Sequence, residues 1–225
     1  MNATPLSASG LLHPDRARNR FRPAGFHLEV CVAVLLLVGA NFTLLYGHCN
    51  AAFLFLPTQV AQGEWWRLLM HPWVHVSWYH LLLDATAFLI LYSELRTLSS
   101  VRRIGSVLAA GCGSMVAALC LDPHIAQRGL CGLSGIAHGL MATAALETMR
   151  SGRGITFGLG TVSLLFVVAK CVIEAATGTV VFDFLHAGRI GSPVAVSHAG
   201  GVLGALTAWM LWSMIGRATE PRSSE

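Results

Sequence analysis

Two short strings hold the residue types of an acyl-transfer site. Gly132-Leu133-Ser134-Gly135 sets a serine among glycines at the start of an apolar stretch, and Ser197-His198-Ala199-Gly200-Gly201 does the same for a histidine. A serine hydroxyl is a weak nucleophile until a base takes its proton. A neutral imidazole is suited to that near pH 7. Acyl transfer also needs donors aimed at the developing oxyanion. The backbone N–H groups of Leu133 and Ser134 qualify if a helix starts there, because first-turn N–H groups lack intrahelical partners. His80 offers a ring donor, and Asp84 lies one turn further along the same face. Gly135-x-x-x-Gly139 and Gly200-x-x-x-Gly204 would also let two helix backbones approach closely. A Ser–His hydrogen bond makes the same demand, so the glycines do not separate packing from catalysis.

The elements that must position these residues are membrane helices. Of 225 residues, 54% are apolar and 12% charged, against about 25% charged in a soluble domain. Six stretches, 28–46, 74–95, 103–121, 131–149, 155–177 and 194–216, are long enough or nearly so to cross a hydrocarbon core about 30 Å thick. Arg16, Arg18, Arg20, Arg22, Arg96, Arg102, Arg103, Arg150, Arg153, Arg217 and Arg222 fall on one side of that alternation. Arg67, Arg128 and Arg189 fall on the other, and Lys170 is inside a span. The bias predicts cytoplasmic termini, so the net charge of +4 is a topology signal. It does not point to nucleic acid. The basic start is read as a retained tail (1–27) before a membrane domain (28–216) and a short C-terminal tail (217–225). A cleavable signal is rejected because the first apolar run is long and no small-x-small site is clear.

With this topology, His80, Ser134 and His198 come from three helices running inward from the outer face. At about 1.5 Å per residue, each lies within roughly 10 Å of the outer surface. Helix packing alone does not predict that shared depth. Lys170 and Glu174 lie late in the fifth stretch, four apart on one face. Ionisable groups there face the interior or water, so the pair is either self-neutralising near the interface or in contact with substrate. No buried Asp behind His198 is apparent, and His138, Lys170 and Glu174 are candidate substrate-contacting or supporting residues.

The segment 47–73 carries Trp65, Trp66 and Trp73 with Arg67 and several histidines, a mixture suited to the headgroup region. Cys31, Cys112 and Cys171 read as small apolar fillers. Cys49, Cys120 and Cys131 lie near the outer side, where a disulfide is chemically allowed. His71, His75 and His138 could bind a metal or haem, but their ligands are scattered, without a Cys or carboxylate cluster. No cofactor or metal is expected. There is no internal repeat and no low-complexity tract, so one all-α bundle is the simplest architecture.

These residues carry a family resemblance. Glu64-Trp65-Trp66-Arg67 through His75-x-x-x-x-His80-x-x-x-Asp84, then Gly132-x-Ser134-Gly135, then His198 with Gly201, resemble the motifs of rhomboid intramembrane serine proteases. The likeness runs from the first span to residue 216. It implies a compact six-helix rhomboid-like bundle without cofactors. In it Ser134 is the nucleophile and His198 its base, while His80 and the Leu133–Ser134 backbone form the oxyanion site. Within that family, His138-Gly139 after the serine motif, the small size and Lys170-x-x-x-Glu174 are similar to rhombosortases. That likeness implies a bacterial inner-membrane enzyme acting on membrane-anchored proteins with C-terminal Gly-Gly-type sorting tails. Two positions depart from the rhomboid pattern. Asp84 stands where the family has Asn; an ionised Asp cannot donate to an oxyanion, so it either donates as the protonated acid or orients His80. His138 stands where many relatives carry an aromatic residue packed on the base. The competing readings are a silent rhomboid-like protein that binds membrane clients, favoured slightly by Asp84, and a small transporter or metal-binding membrane protein.

Overall fold

The computed structural model describes residues 25–181, 188 and 190–219. Arg16, Arg18, Arg20, Arg22, Arg189 and Arg222, most of the N-terminal tail and the end of the C-terminal tail lie outside the described residues. Six long helices form where apolar stretches were expected: α1 (Gly25–Asn41), α2 (Trp78–Glu94), α3 (Ser100–Leu121), α4 (Ser134–Ser151), α5 (Ile155–Thr177) and α6 (Val196–Thr219). No strand forms among the described residues beyond an isolated antiparallel bridge, Phe55 to Leu130. The chain folds as an all-α membrane bundle.

The six expected spans are not equally supported by length and composition. Four helices are long and apolar enough to cross a membrane: α1 with its extension to Tyr46, α3, α5 and α6. Helix α2 qualifies only together with the preceding turn Arg67–Trp73, from which it bends by 94°. Helix α4 is not among them. The reason is composition: its 18 residues include Ser134, His138, Thr143, Glu147 and Thr148. It packs against α2, α3, α5 and α6, so its neighbours are protein, and an apolar surface is not required of it.

Local chemistry sets the helix ends. The Ser77 hydroxyl caps α2 by accepting from the His80 N–H at 3.1 Å. Helix α5 closes on Gly178, which adopts the left-handed conformation (φ +69°). Between the helices small residues remove side chains altogether. On α3 and α6, Gly113, Gly200 and Gly204 are so close that a Cβ on any of them would overlap backbone of the facing helix. Lipid tails are as apolar as leucine, so such packing, rather than expulsion from water, holds helices together in a bilayer.

Polar ties close one end of the bundle. Arg103, fully buried, donates to both carboxylate oxygens of Glu29 at 2.8 Å and to the Leu98 carbonyl. Glu147 accepts from Trp209 Nε1 at 2.9 Å and from Arg102 at 3.3 Å. These ties bring the start of α1, the start of α3, the end of α4 and the later part of α6 to one end. The starts of α4 and α6 therefore lie at the other. All six cysteines are free thiols, so the structure forms no disulfide among Cys49, Cys120 and Cys131.

At that other end the segment between α1 and α2 folds over the bundle. Phe55 and Leu130 exchange backbone hydrogen bonds at 3.0 and 2.9 Å, and the Gly132 N–H donates to the His71 carbonyl at 3.1 Å. Arg67, buried, holds the same segment by donating to the carbonyls of Ala51 and Leu54 at 2.7 Å and to Glu64. Trp65 and Trp66 stay 64% and 48% exposed, as expected of an interfacial belt.

Candidate active site

Ser134 is the first residue of α4, and the backbone reaches it through Gly132 at φ +90°. A side chain at 132 is disfavoured for two independent reasons. The left-handed conformation suits glycine, and a Cβ there would stand 2.7 Å from Asp84 Oδ2 and 2.8 Å from His80 Nε2. The serine thus enters its helix with backbone pressed against both side chains. His198, third residue of α6, faces it: His198 Nε2 lies 3.1 Å from Ser134 Oγ. The helices meet this closely because Gly135, Gly139 and Gly201 line the contact. A Cβ on Gly139 would lie 2.6 Å from the Gly201 carbonyl oxygen, and one on Gly201 would overlap the Gly135 carbonyl.

Behind His198 stands a carboxylate that the sequence did not reveal in this place. Glu174 is fully buried, and its Oε2 lies 2.7 Å from His198 Nδ1. Because a carboxylate only accepts, Nδ1 carries the proton and Nε2 is left with a lone pair toward Ser134. The other oxygen, Oε1, accepts from the Lys170 ammonium and from the Val181 N–H at 2.9 Å. Lys170 and Glu174 do pair, yet the pair faces the site rather than closing on itself. Lys170 Nζ also reaches His138 Nε2 at 2.8 Å.

His138 lies beside the histidine of α6. Its ring stacks on His198 with centroids 4.1 Å apart and planes 13° from parallel. Its Nδ1 lies 2.7 Å from the Ser134 carbonyl oxygen, so Nδ1 donates and Nε2 accepts from Lys170.

On the other side, His80 Nε2 and His75 Nε2 lie 3.2 and 3.5 Å from the same oxygen of Asp84. His75, fully buried, entered the sequence reading as part of a motif and as a candidate metal or haem ligand; its burial beside Asp84 depends on how the bend before α2 folds. One carboxylate oxygen facing two imidazole nitrogens is an acceptor, which fits Asp84 orienting His80 better than donating to an oxyanion.

His80, Asp84, Ser134, His138, Lys170 and His198 all line one cavity of about 470 Å³. Its remaining wall is largely apolar, with Tyr79, Leu83 and Val194 among the contributors. The depth shared by His80, Ser134 and His198 is thus a shared cavity. Against expectation, the fold also gathers a cluster of metal-ligand type: donor atoms of His138, Cys171 and Glu174 lie within 4.8 Å of one another. Lys170 already engages two of the three, so an intrinsic cation sits where a metal would have to bind.

Compared with known proteins, residues 62–217 match the model of the Rhomboid domain family. That span holds α2 to α5, α6 as far as residue 217, and every residue of the cavity named above. No curated protein and no solved structure matches the chain.

Proposed function

The chain belongs to the rhomboid family of intramembrane serine proteases, and from that premise we propose that Ser134 is its nucleophile and His198 its base. The observation that carries this reading is the Ser134 Oγ–His198 Nε2 distance of 3.1 Å inside a protein-walled cavity. In the first step the hydroxyl proton moves to Nε2 as Oγ bonds to the scissile carbonyl carbon. The developing oxyanion is held by the N–H groups of Leu133 and Ser134 at the start of α4 and by His80. Collapse breaks the C–N bond, and His198 returns the proton to the leaving amine. Water then hydrolyses the acyl ester by the same route.

The substrate we propose is a single-span membrane protein cut near the outer face, of the C-terminal Gly-Gly tail class. Glycines favour this chemistry because an intact helix keeps its carbonyls in hydrogen bonds, and glycine weakens the helix. The enzyme is proposed to lie in a bacterial inner membrane with its site toward the periplasm and both termini cytoplasmic. The arginines gathered at the end of the bundle opposite the site support that orientation.

Purified protein in detergent, treated with a fluorophosphonate, is expected to carry one adduct, mapped by mass spectrometry to Ser134. Folded protein with no adduct would favour the silent client-binding alternative. Co-expression with a secreted protein bearing a Gly-Gly tail tests the substrate class: a tail left intact by active enzyme would remove that assignment.

Asp84→Asn tests the oxyanion side. Hydrogen bonds to a charged acceptor exceed neutral ones by about 1 kcal/mol, so labelling is expected to slow about fivefold as His80 loses its anchor. An unchanged or faster rate would show that the charge at 84 is dispensable.

A further inference from the structure

We infer that the catalytic unit is a Ser134–His198–Glu174 triad, closed into a ring by Lys170 and His138, in which Glu174 is the positioning residue. The inference rests on the serine-protease reading and extends it to a helix, α5, that supplies neither nucleophile nor base.

The ring can be followed atom by atom. Ser134 O–H donates to His198 Nε2 (3.1 Å), and His198 Nδ1–H donates to Glu174 Oε2 (2.7 Å). Glu174 Oε1 accepts from Lys170, Lys170 donates to His138 Nε2 (2.8 Å), and His138 Nδ1–H donates to the carbonyl of Ser134 itself (2.7 Å). Every donor meets an acceptor, the bonds converging on Glu174 and diverging from Lys170, and the path returns to the residue where it began. Both histidine tautomers follow without further assumption. The neighbouring acceptors fix Nδ1–H on each ring, which leaves Nε2 of His198 for the serine and Nε2 of His138 for the lysine.

Burial explains why the lysine belongs to the unit. An isolated carboxylate with no exposed surface at this depth would be prohibitively costly. Lys170 neutralises it, the Val181 N–H supplies a further bond at 2.9 Å, and the four groups together carry no net charge at rest. When the serine proton arrives at Nε2, the imidazolium forms 2.7 Å from an anion already in place. Glu174 takes up no proton; it orients the ring and stabilises its positive charge. The His138 ring stacked on His198 blocks the rotation that would break either bond.

The test measures fluorophosphonate labelling under saturating conditions, so that the limiting rate constant and the half-saturating concentration are read separately. Glu174→Gln keeps the shape and removes the charge. The limiting rate constant is expected to fall about 10²- to 10³-fold with half-saturation unchanged, a smaller loss than the about 10⁴-fold of an amide replacement in a Ser-His-Asp site. Glu174→Asp, which keeps the charge, is expected to recover at least tenfold of that loss. A Gln variant labelled within threefold of wild type would overturn the triad while leaving the Ser134–His198 reading intact. That reading is judged on the wild-type adduct alone. Should Glu174→Gln not fold, ¹⁵N-histidine spectra of the wild type decide. A strongly deshielded imidazole N–H signal, lost in His198→Ala, supports the His198–Glu174 bond, and its absence overturns it.

Discussion

His198→Ala is expected to lower the rate of fluorophosphonate labelling at Ser134 by about 10³-fold or more, with the fold retained. General-base assistance contributes about 10²- to 10⁴-fold, and a serine hydroxyl without it hardly reacts. Within the ring the loss is total: the nucleophile loses its acceptor, Glu174 loses its link to the serine, and His138 loses its stacking partner. Time courses of labelling, read beside thermal unfolding by circular dichroism, check the result. A rate within tenfold of wild type in a folded variant would remove His198 from the mechanism. The loss should exceed that of Glu174→Gln, because a positioning residue acts only through the base it positions.

Gly201→Val is expected to abolish labelling without touching a reacting group. The space a Cβ would need at 201 is filled by the Gly135 carbonyl of α4, one residue past the nucleophile. A valine can be admitted only if α6 retreats from α4 by an ångström or more, taking His198 with it. From 3.1 Å, that retreat takes the Ser134–His198 contact out of hydrogen-bond range. A misplacement of about 1 Å costs on the order of 10²-fold in rate, and overpacking removes about 1–3 kcal/mol of stability. Gly201→Ala should fall between valine and wild type. Gly39→Ala on α1 provides the control, because nothing lies within 4 Å of its added Cβ. Equal labelling of the Gly201→Val and Gly39→Ala proteins would refute the claim that these glycines set the distance between serine and base.

Much of this arrangement was legible in the chain. The six helices appear where the apolar stretches place them, and counting residues from the outer face put His80, Ser134 and His198 at one level before any contact was known. Glu174 shows where that reasoning stops. An i,i+4 Lys–Glu pair looks the same whether it closes on itself at the membrane surface or turns toward a histidine on the next helix. Hydropathy fixes where α5 lies in depth but not its rotation about its own axis; packing against α4 and α6 decides that. Arg103 makes the same point at the other end. It counts in sequence as one of the orienting arginines, yet it is buried with Glu29 and ties α1 to α3. Helix α4 shows a different limit. A helix wrapped in protein need not be apolar, so the length and hydropathy of a lipid-facing span are the wrong criteria for it.

The paired backbones of Phe55 and Leu130 have a consequence for what the enzyme measures. The loop that carries the exposed Trp65 and Trp66 is bonded to the strand-like stretch leading into Ser134, at Leu130 and again at Gly132. Indole rings float at the headgroup plane, so the loop acts as a buoy and the hydrogen bonds as a short mooring line to the nucleophile. On the proposed orientation, protein backbone sets the distance from the lipid surface to the serine, whatever the thickness of the bilayer below. On that proposal a substrate helix is met at a set draught, and the bond that is cut is specified by its level in the membrane as much as by the residues around it.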